Sequence, residues 1–138
     1  FIDIGFKTVE YLASAIVDLE LHKGKISDDL ILYQENILQK IGMPEAIGMR
    51  HATLNFAHIF SGAAYASGYY SYMWSEIMEA DAFTAFLEQG NVFDPNVARS
   101  LQDNILSKGG SKDPEELYEK FRGRLPEVDA FLKSRKLL

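Results

Sequence analysis

Residues 58–74 read His58-Ile-Phe-Ser-Gly62-Ala-Ala-Tyr65-Ala-Ser-Gly68-Tyr69-Tyr70-Ser-Tyr72-Met-Trp74. A run of small residues leads here from a histidine to a cluster of tyrosines and the only tryptophan of the chain. If Tyr65, Tyr69 and Tyr72 lie on one helix, their i, i+4, i+7 spacing places three phenol hydroxyls on one face. Phenols donate hydrogen bonds, so this face suits a carbonyl oxygen that gains negative charge during a reaction. A stripe of core aromatic residues with hydroxyls at its rim also explains the spacing.

The other residues of this stretch suggest how it is anchored. Gly62 and Gly68 allow the backbone to approach another surface closely. The adjacent face of the same helix would pack against the core through Tyr70, Met73, Trp74 and Ile77. We expect the tyrosine helix to end near Glu79.

Two amphipathic helices are predicted on the N-terminal side of this stretch. The first runs from Asp3 to about Leu21 and ends before Gly24, with its buried face formed by Phe6, Val9, Leu12, Ala13, Ile16 and Leu19. The second is capped by Ser27 and closed by Gly42 and Pro44, with an inward face of Leu30, Tyr33, Ile37, Leu38 and Ile41. Residues 43–57 form an irregular connection.

Four shorter helices are predicted on the C-terminal side. Asp81 would cap a helix that ends at Gly90 and buries Phe83, Phe86 and Leu87. Asp94-Pro95 and Asp113-Pro114 each place an N-cap before a proline, and they open helices that run to Gly109 and Gly123. A last helix starts near Pro126 and includes Leu132. No segment has a convincing strand pattern, so the predicted class is all-α, with six or seven amphipathic helices and a glycine-rich loop leading into a tyrosine-rich helix.

Composition limits the possible partners and location. With 138 residues, of which 47% are hydrophobic and 25% charged, the chain is typical of a single globular domain over residues 1–138. The net charge of -6 and the lack of a basic stripe argue against nucleic acid and a membrane surface as partners. The longest apolar run, Tyr11–Val17, is too short to span a membrane. The absence of cysteine fits a reducing compartment, and we expect a cytoplasmic protein. Because Phe1 begins within an apolar segment, we also expect a piece of something longer.

The titratable residues do not form a known catalytic motif by themselves. His22, His51 and His58 lack the spacing of a helical zinc pair, no HExxH is present, and we predict no metal site in this chain. His22 suits a helix C-terminus and His51 a solvated loop, whereas His58 can donate to a bound peptide carbonyl or to its own loop. The carboxylates Glu10, Asp18, Glu20 and Glu76 are expected on solvated helix faces.

Several separate blocks of the sequence, taken in order, resemble segments of one known protein family. They are Gly5-Phe6, Tyr11–Ala15, His58–Gly62, Tyr65–Glu76, Asp81–Phe83, Ile105–Ser111 and Phe121–Pro126. In this order they resemble the C-terminal part of the thimet oligopeptidase and bacterial peptidyl-dipeptidase (dipeptidyl carboxypeptidase) family of zinc metallopeptidases. The resemblance covers nearly the whole chain. It implies a largely helical peptidase with a deep channel, whose zinc is held by a HExxH helix and a downstream glutamate that would lie upstream of Phe1.

The resemblance also implies roles for residues of the tyrosine stretch. Tyr72 and Tyr65 match the two tyrosines thought to bind the scissile carbonyl as it becomes an oxyanion, and His58 matches the histidine that holds substrate backbone. With Gly62 and Tyr69 as further substrate-binding residues, the chain would be the substrate-binding part of a zinc oligopeptidase acting on short peptides. Zinc would be needed in the complete enzyme, and this chain alone would be inactive without its N-terminal zinc-binding portion.

Two other interpretations stay open at this point. The chain can be an autonomous helical module that binds a peptide or a partner protein through the tyrosine face without catalysis. It can also be a purely structural helical domain. If the chain is cut from a larger domain, its uncovered apolar faces should cause self-association.

Overall fold

The computed structural model describes residues 3–138 and confirms the all-α class. The helices are α1 (Ile4–Lys23), α2 (Leu30–Lys40), α3 (Ala57–Phe60), α4 (Ser71–Glu88), α5 (Pro95–Leu101), α6 (Pro114–Arg122) and α7 (Asp129–Ser134). A 3-10 turn at Thr53–Asn55 precedes α3, and a π-helical segment at Gln102–Leu106 prolongs α5. No strand occurs among the described residues. Phe1, on which the expectation of a longer protein was based, lies outside the described residues.

The chain divides into two compact units, Phe1–Tyr72 and Met73–Leu138. The first unit, described from residue 3, contains α1, α2, the 3-10 turn, α3 and the tyrosine-rich loop. Nearly all of α4 and the three later helices belong to the second unit. That residues 1–138 form a single domain stays a prediction. Within residues 3–138, no helix combines the length and apolar character needed to cross a membrane.

The first helix buries only part of the face that periodicity predicts, with Ala13 buried as expected and Ile16 partly buried. Its buried positions are Thr8, Ala13, Ser14, Ala15, Val17, Asp18 and Leu21, whereas Phe6, Val9, Leu12 and Leu19 are exposed. Apolar residues occur on every side of α1, so their spacing does not select one face. The small residues Ala13, Ser14 and Ala15 allow close packing. The prediction that Asp18 is solvated is wrong, because its side chain has no exposed surface.

The second helix agrees better with its predicted face. Ile37 is buried, and Leu30, Tyr33 and Leu38 pack against the core cluster of the first unit, whose members are Ala15, Val17, Leu21, Ile37, Phe56, Ile59 and Tyr69. Ile41 is exposed. The predicted cap is wrong by two residues, since the Asp29 carboxylate, rather than Ser27, accepts from a first-turn amide of α2 at 3.0 Å. The Ser27 hydroxyl instead accepts from the Asp29 amide.

The fourth helix continues where the sequence suggested a break. It runs through Glu79 and Asp81 to Glu88, so Asp81 caps no helix and is buried in the second unit. Met73 and Ala85 are buried with it, along with Leu117, Tyr118 and Phe131 of the later helices. Phe83 and Leu87, expected inside, are exposed, as are Tyr70 and Trp74. No proline or glycine interrupts this segment, and that favours one long helix.

A charged cluster surrounds Asp81 within the second unit. Its carboxylate accepts from the Tyr118 hydroxyl at 2.7 Å, from Arg124 at 2.7 Å and from Arg122 Nε at 3.3 Å, and Arg122 also donates to Glu88 at 2.9 Å. Burial raises the pKa of Asp81, but these hydrogen bonds outweigh burial and hold the pKa below its usual range. Burial, reinforced by the Asp81 charge, raises the pKa of the Tyr118 phenol. The cluster ties α4 to α6 and the segment after it.

The ends of α5, α6 and α7 test the predicted aspartate caps and glycine stops. Asp94 and Asp113 cap α5 and α6 as predicted, each followed by proline. Gly123 ends α6 in the left-handed conformation, with φ of 75°. The helix opened by Asp94 stops before Ser107, short of the predicted Gly109, and α7 begins at Asp129 rather than near Pro126.

Candidate functional site

The tyrosine-rich stretch forms a loop followed by a helix. Residues 62–70 lie outside regular helix, and α4 begins at Ser71, so the arrangement of Tyr65, Tyr69 and Tyr72 on one helix face is wrong. The cause is a tight turn in which the Gly68 amide donates to the Tyr65 carbonyl at 3.2 Å. A Cβ at position 68 would lie only 3.3 Å from that carbonyl oxygen, so the close approach favours glycine.

The loop nevertheless brings the three tyrosine rings together around His58. The His58 ring centre lies 5.2 Å from that of Tyr65, 5.7 Å from that of Tyr69 and 5.9 Å from that of Tyr72. The Tyr72 hydroxyl and His58 Nε2 are 3.3 Å apart, within hydrogen-bonding distance. His58 is placed by the short helix α3, whereas Tyr72 lies in the first turn of α4. Residues predicted from sequence to act together are therefore neighbours.

The rings differ in their access to solvent. Tyr69 is 8% exposed, stacks on Tyr11 with ring centres 5.1 Å apart and meets Phe56 edge-on at 4.9 Å. Tyr65 and Tyr72 are 47% and 50% exposed. Tyr69 thus forms the floor of the cluster, and the other two rings can reach a ligand.

Gly62 shapes the start of the loop. It has φ of +156°, and its carbonyl accepts from the Tyr65 amide at 2.9 Å. No neighbouring atom lies within 4 Å of the position that a Cβ would occupy. The close approach of another surface that the sequence suggested at Gly62 is therefore not seen among the described residues.

Two side chains of α1 hold this loop, and sequence reasoning missed both. The Asp18 carboxylate accepts from the Ser67 amide at 3.1 Å and from the Tyr69 amide at 2.9 Å. The Tyr11 hydroxyl donates to the Tyr69 carbonyl. A signal was available, since Asp18 lies between Val17 and Leu19, and small or apolar residues occupy positions 13–17 just before it.

The other two histidines support the first unit. His22 lies in the last turn of α1, as predicted, with Nδ1 2.9 Å from both the backbone carbonyl and a carboxylate oxygen of Asp18. Because both neighbours are acceptors, Nδ1 carries a proton. His51 is half-buried and its ring centre lies 4.9 Å from that of Phe56, so its interpretation as a solvated loop residue is wrong.

The described residues do not offer a metal site. Among residues 3–138, no group of three or more histidine, cysteine, aspartate or glutamate side chains is placed to hold a metal ion. Near the tyrosine cluster, the Asp18 oxygens face backbone amides and His22. The zinc that the resemblance implies therefore does not fit these residues.

The pairing of His58 with Tyr72 has a chemical consequence. When His58 carries its proton on Nε2, it donates to the Tyr72 oxygen, and the Tyr72 proton is then free to donate to a ligand. Hydrogen bonds in such a chain polarise one another, so the phenol becomes a stronger donor. The pair is suited to an oxygen that becomes more negative.

Comparison with known proteins gives the family. The sequence profile of Peptidase family M3 matches residues 3–137, almost the whole chain. The chain belongs to peptidase family M3. Oligopeptidase A of Haemophilus influenzae is 35% identical over 130 residues, which is 92% of this chain and 19% of the relative. Dipeptidyl carboxypeptidase of Escherichia coli is 34% identical over 138 residues, which is 96% of this chain and 20% of the relative.

One part of the M3 segment matches more strongly. Oligopeptidase A of Escherichia coli is 52% identical over 77 residues, which is 56% of this chain and 11% of the relative. The chain spans about one fifth or less of the length of these relatives. Both the family and the similarity to oligopeptidases and a dipeptidyl carboxypeptidase confirm the resemblance predicted from the sequence.

Proposed function

We propose that this M3 segment is the substrate-binding and oxyanion-stabilising part of a zinc-dependent oligopeptidase or peptidyl-dipeptidase that acts on short peptides. The observation that carries the proposal is the cluster of Tyr65, Tyr69 and Tyr72 around His58, in which Tyr72 and His58 lie 3.3 Å apart. Two of the tyrosines are about half exposed. A peptide carbonyl can therefore reach hydroxyl donors held on a buried floor.

Each residue has a distinct part in the proposal. Tyr72 and Tyr65 donate hydrogen bonds to the scissile carbonyl oxygen, most strongly when it becomes an oxyanion. His58 orients the Tyr72 hydroxyl and holds peptide backbone, while Gly62 leaves room for the chain and Tyr69 supports the rings. Pre-placed donors accelerate a reaction because they need no reorganisation as charge develops.

Zinc chemistry is proposed to come from residues outside those described. A bound zinc would polarise the peptide carbonyl and activate water. The residues of this chain bind and orient the peptide, and the isolated chain is expected to bind no zinc and to cleave no peptide. The proposed partners are a short peptide, an N-terminal zinc-binding portion and, through exposed apolar faces, other copies of the chain.

A cytoplasmic location belongs to the same proposal. Relatives 33% identical over 141 residues include a protein named probable cytosolic oligopeptidase A and another named organellar oligopeptidase A, both from Arabidopsis thaliana. The first of these names supports the proposed location, whereas the second names an organelle. Fractionation of cells that express the protein, followed by immunodetection, would decide between them.

The experiment that tests the function places this chain in a working enzyme. Residues 3–137 replace the matching segment of Escherichia coli dipeptidyl carboxypeptidase, and kcat and KM are measured with a short peptide. Tyr72→Phe should lower kcat by roughly a hundredfold, or about 3 kcal/mol of transition-state stabilisation, with little change in KM. Tyr70→Phe, a similarly exposed tyrosine beside it, serves as the control and should leave kcat nearly unchanged.

Two results would contradict the proposal. An unchanged kcat for Tyr72→Phe, together with a lowered melting temperature, would make Tyr72 a structural residue. A loss of peptide affinity with unaltered kcat would instead support the non-catalytic peptide-binding module.

A further inference from the structure

Asp18 is a buried carboxylate that the proposed chemistry does not use. It lies in α1, has no exposed surface and faces three hydrogen-bond donors. One oxygen accepts from the Ser67 amide at 3.1 Å and lies 2.9 Å from His22 Nδ1, and the other accepts from the Tyr69 amide at 2.9 Å. Burial of a carboxylate is costly without such partners, so these three contacts are what allow Asp18 to lie inside the fold.

The backbone of Tyr69 is held on both sides by the same helix. Asp18 accepts from its amide, and the Tyr11 hydroxyl donates to its carbonyl. These two α1 residues are seven positions apart, which places them two turns apart on one helix face. The residue that forms the floor of the tyrosine cluster is therefore fixed at both its peptide groups.

The turn held by Asp18 has an unfavourable local geometry. Ser67 has φ of 58°, a left-handed conformation that L-residues other than glycine rarely adopt. The Ser67 amide donates to Asp18 from this position. The adjacent Gly68 packs closely against the Tyr65 carbonyl. Such a turn persists when surrounding contacts determine it.

We propose that Asp18 is a positioning residue, whose carboxylate fixes the turn of residues 65–69 and thereby sets the places of Tyr65 and Tyr72 beside His58. An effect of Asp18 on peptide binding rests on the proposed function of these rings. Its effect on the conformation of the turn does not depend on that function. The role requires a carboxylate, because only two acceptor oxygens can serve all three donors. In Asp18→Asn, the amide group would turn an N–H donor toward another donor whichever way it is oriented.

The test uses the 138-residue chain with Asp18→Asn. Amide hydrogen exchange and the nuclear Overhauser effect between the His58 and Tyr72 rings are measured by NMR. We expect exchange at Ser67 and Tyr69 to accelerate by about tenfold or more relative to the core helix amides, and the ring contact to weaken. Asp81→Asn is the matched control, because it also neutralises a buried aspartate but lies in the second unit. It should leave exchange at the turn unchanged relative to the same core amides of the first unit.

A peptide titration separates this inference from the proposed function. The probe is the blocked tetrapeptide acetyl-Ala-Ala-Ala-Ala-amide. Asp18→Asn should weaken its binding by about tenfold relative to the Asp81→Asn control, compared where the two variants have matched thermal stability. Absence of binding to the unmodified chain would count against the proposed function alone, since exchange and ring contact still decide the role of Asp18. Unchanged exchange at Ser67 and Tyr69 with an intact ring contact would overturn the inference.

A second measurement applies if Asp18→Asn does not fold. In the unmodified chain, scalar couplings across the hydrogen bonds should connect the amide nitrogens of Ser67 and Tyr69 to the Asp18 carboxyl carbon. Detection of both couplings supports the positioning role of Asp18. Their absence, in spectra that resolve equivalent couplings in the helices, overturns it.

Discussion

Replacing Asp81 by alanine should lower the free energy of unfolding by about 3 kcal/mol, because it removes the acceptor of a buried charged cluster. Asp81 is 1% exposed, and the side chain of Arg122 is 6% exposed. Without Asp81, Arg122 keeps Glu88 as a counter-charge, and Tyr118 keeps the Met78 carbonyl at 3.1 Å. Breaking a buried ion pair costs about 3–5 kcal/mol, and the lower value applies because Arg124 is partly exposed and can turn to water.

The measurement is urea unfolding followed by circular dichroism, on the parent chain and on a double-mutant cycle of Asp81→Ala with Tyr118→Phe. The hydroxyl of Tyr118 donates to a charged carboxylate at 2.7 Å, so the coupling energy should be about 1.5–3 kcal/mol. Glu88→Ala is the control and should cost less than about 1 kcal/mol, since that carboxylate is largely exposed. A loss below about 1 kcal/mol for Asp81→Ala, with no coupling to Tyr118, would refute the assigned role of the cluster.

Two further outcomes follow from the same structure. The folded pKa of Asp81 lies below its ordinary value of 3.8, so its stabilising contribution is present above that value and is lost as pH falls through the folded pKa. Acid titration of stability below about pH 4 should therefore be steeper for the parent chain than for Asp81→Asn, and equal slopes would contradict this. Asp29→Ala should lower stability by about 1 kcal/mol through loss of the α2 cap, whereas Ser27→Ala should cost less; the reverse order in urea unfolding would favour the cap predicted from sequence.

Local signals predicted those parts of the fold that depend on neighbouring residues. Asp94 and Asp113 cap their helices because an aspartate side chain reaches an amide two or three residues ahead, whatever surrounds it. Gly123 ends α6 because the left-handed conformation is easiest for glycine. Such interactions lie within one turn of chain, so they can be read from the order of residues.

Contacts between residues far apart in the chain could not be predicted from the order of neighbouring residues. The burial of Asp81 within α4 depends on Arg122 and Arg124, which lie more than forty residues later and neutralise its carboxylate. Without these partners, an aspartate in mid-segment resembles a helix cap. The buried face of α1 was likewise ambiguous because apolar residues surround the helix.

The sequence by itself determined the helical class, the N-caps of α5 and α6, the end of α6, the M3 resemblance and the residue types of the tyrosine cluster. Only the tertiary structure decided how that cluster is built, with Tyr65 and Tyr69 in a loop and Tyr72 on a helix. The physical reason is that Asp18 lies 49 and 51 residues from the amides that it binds. A hydrogen bond over that separation leaves no periodic trace in the sequence, whereas a helix does.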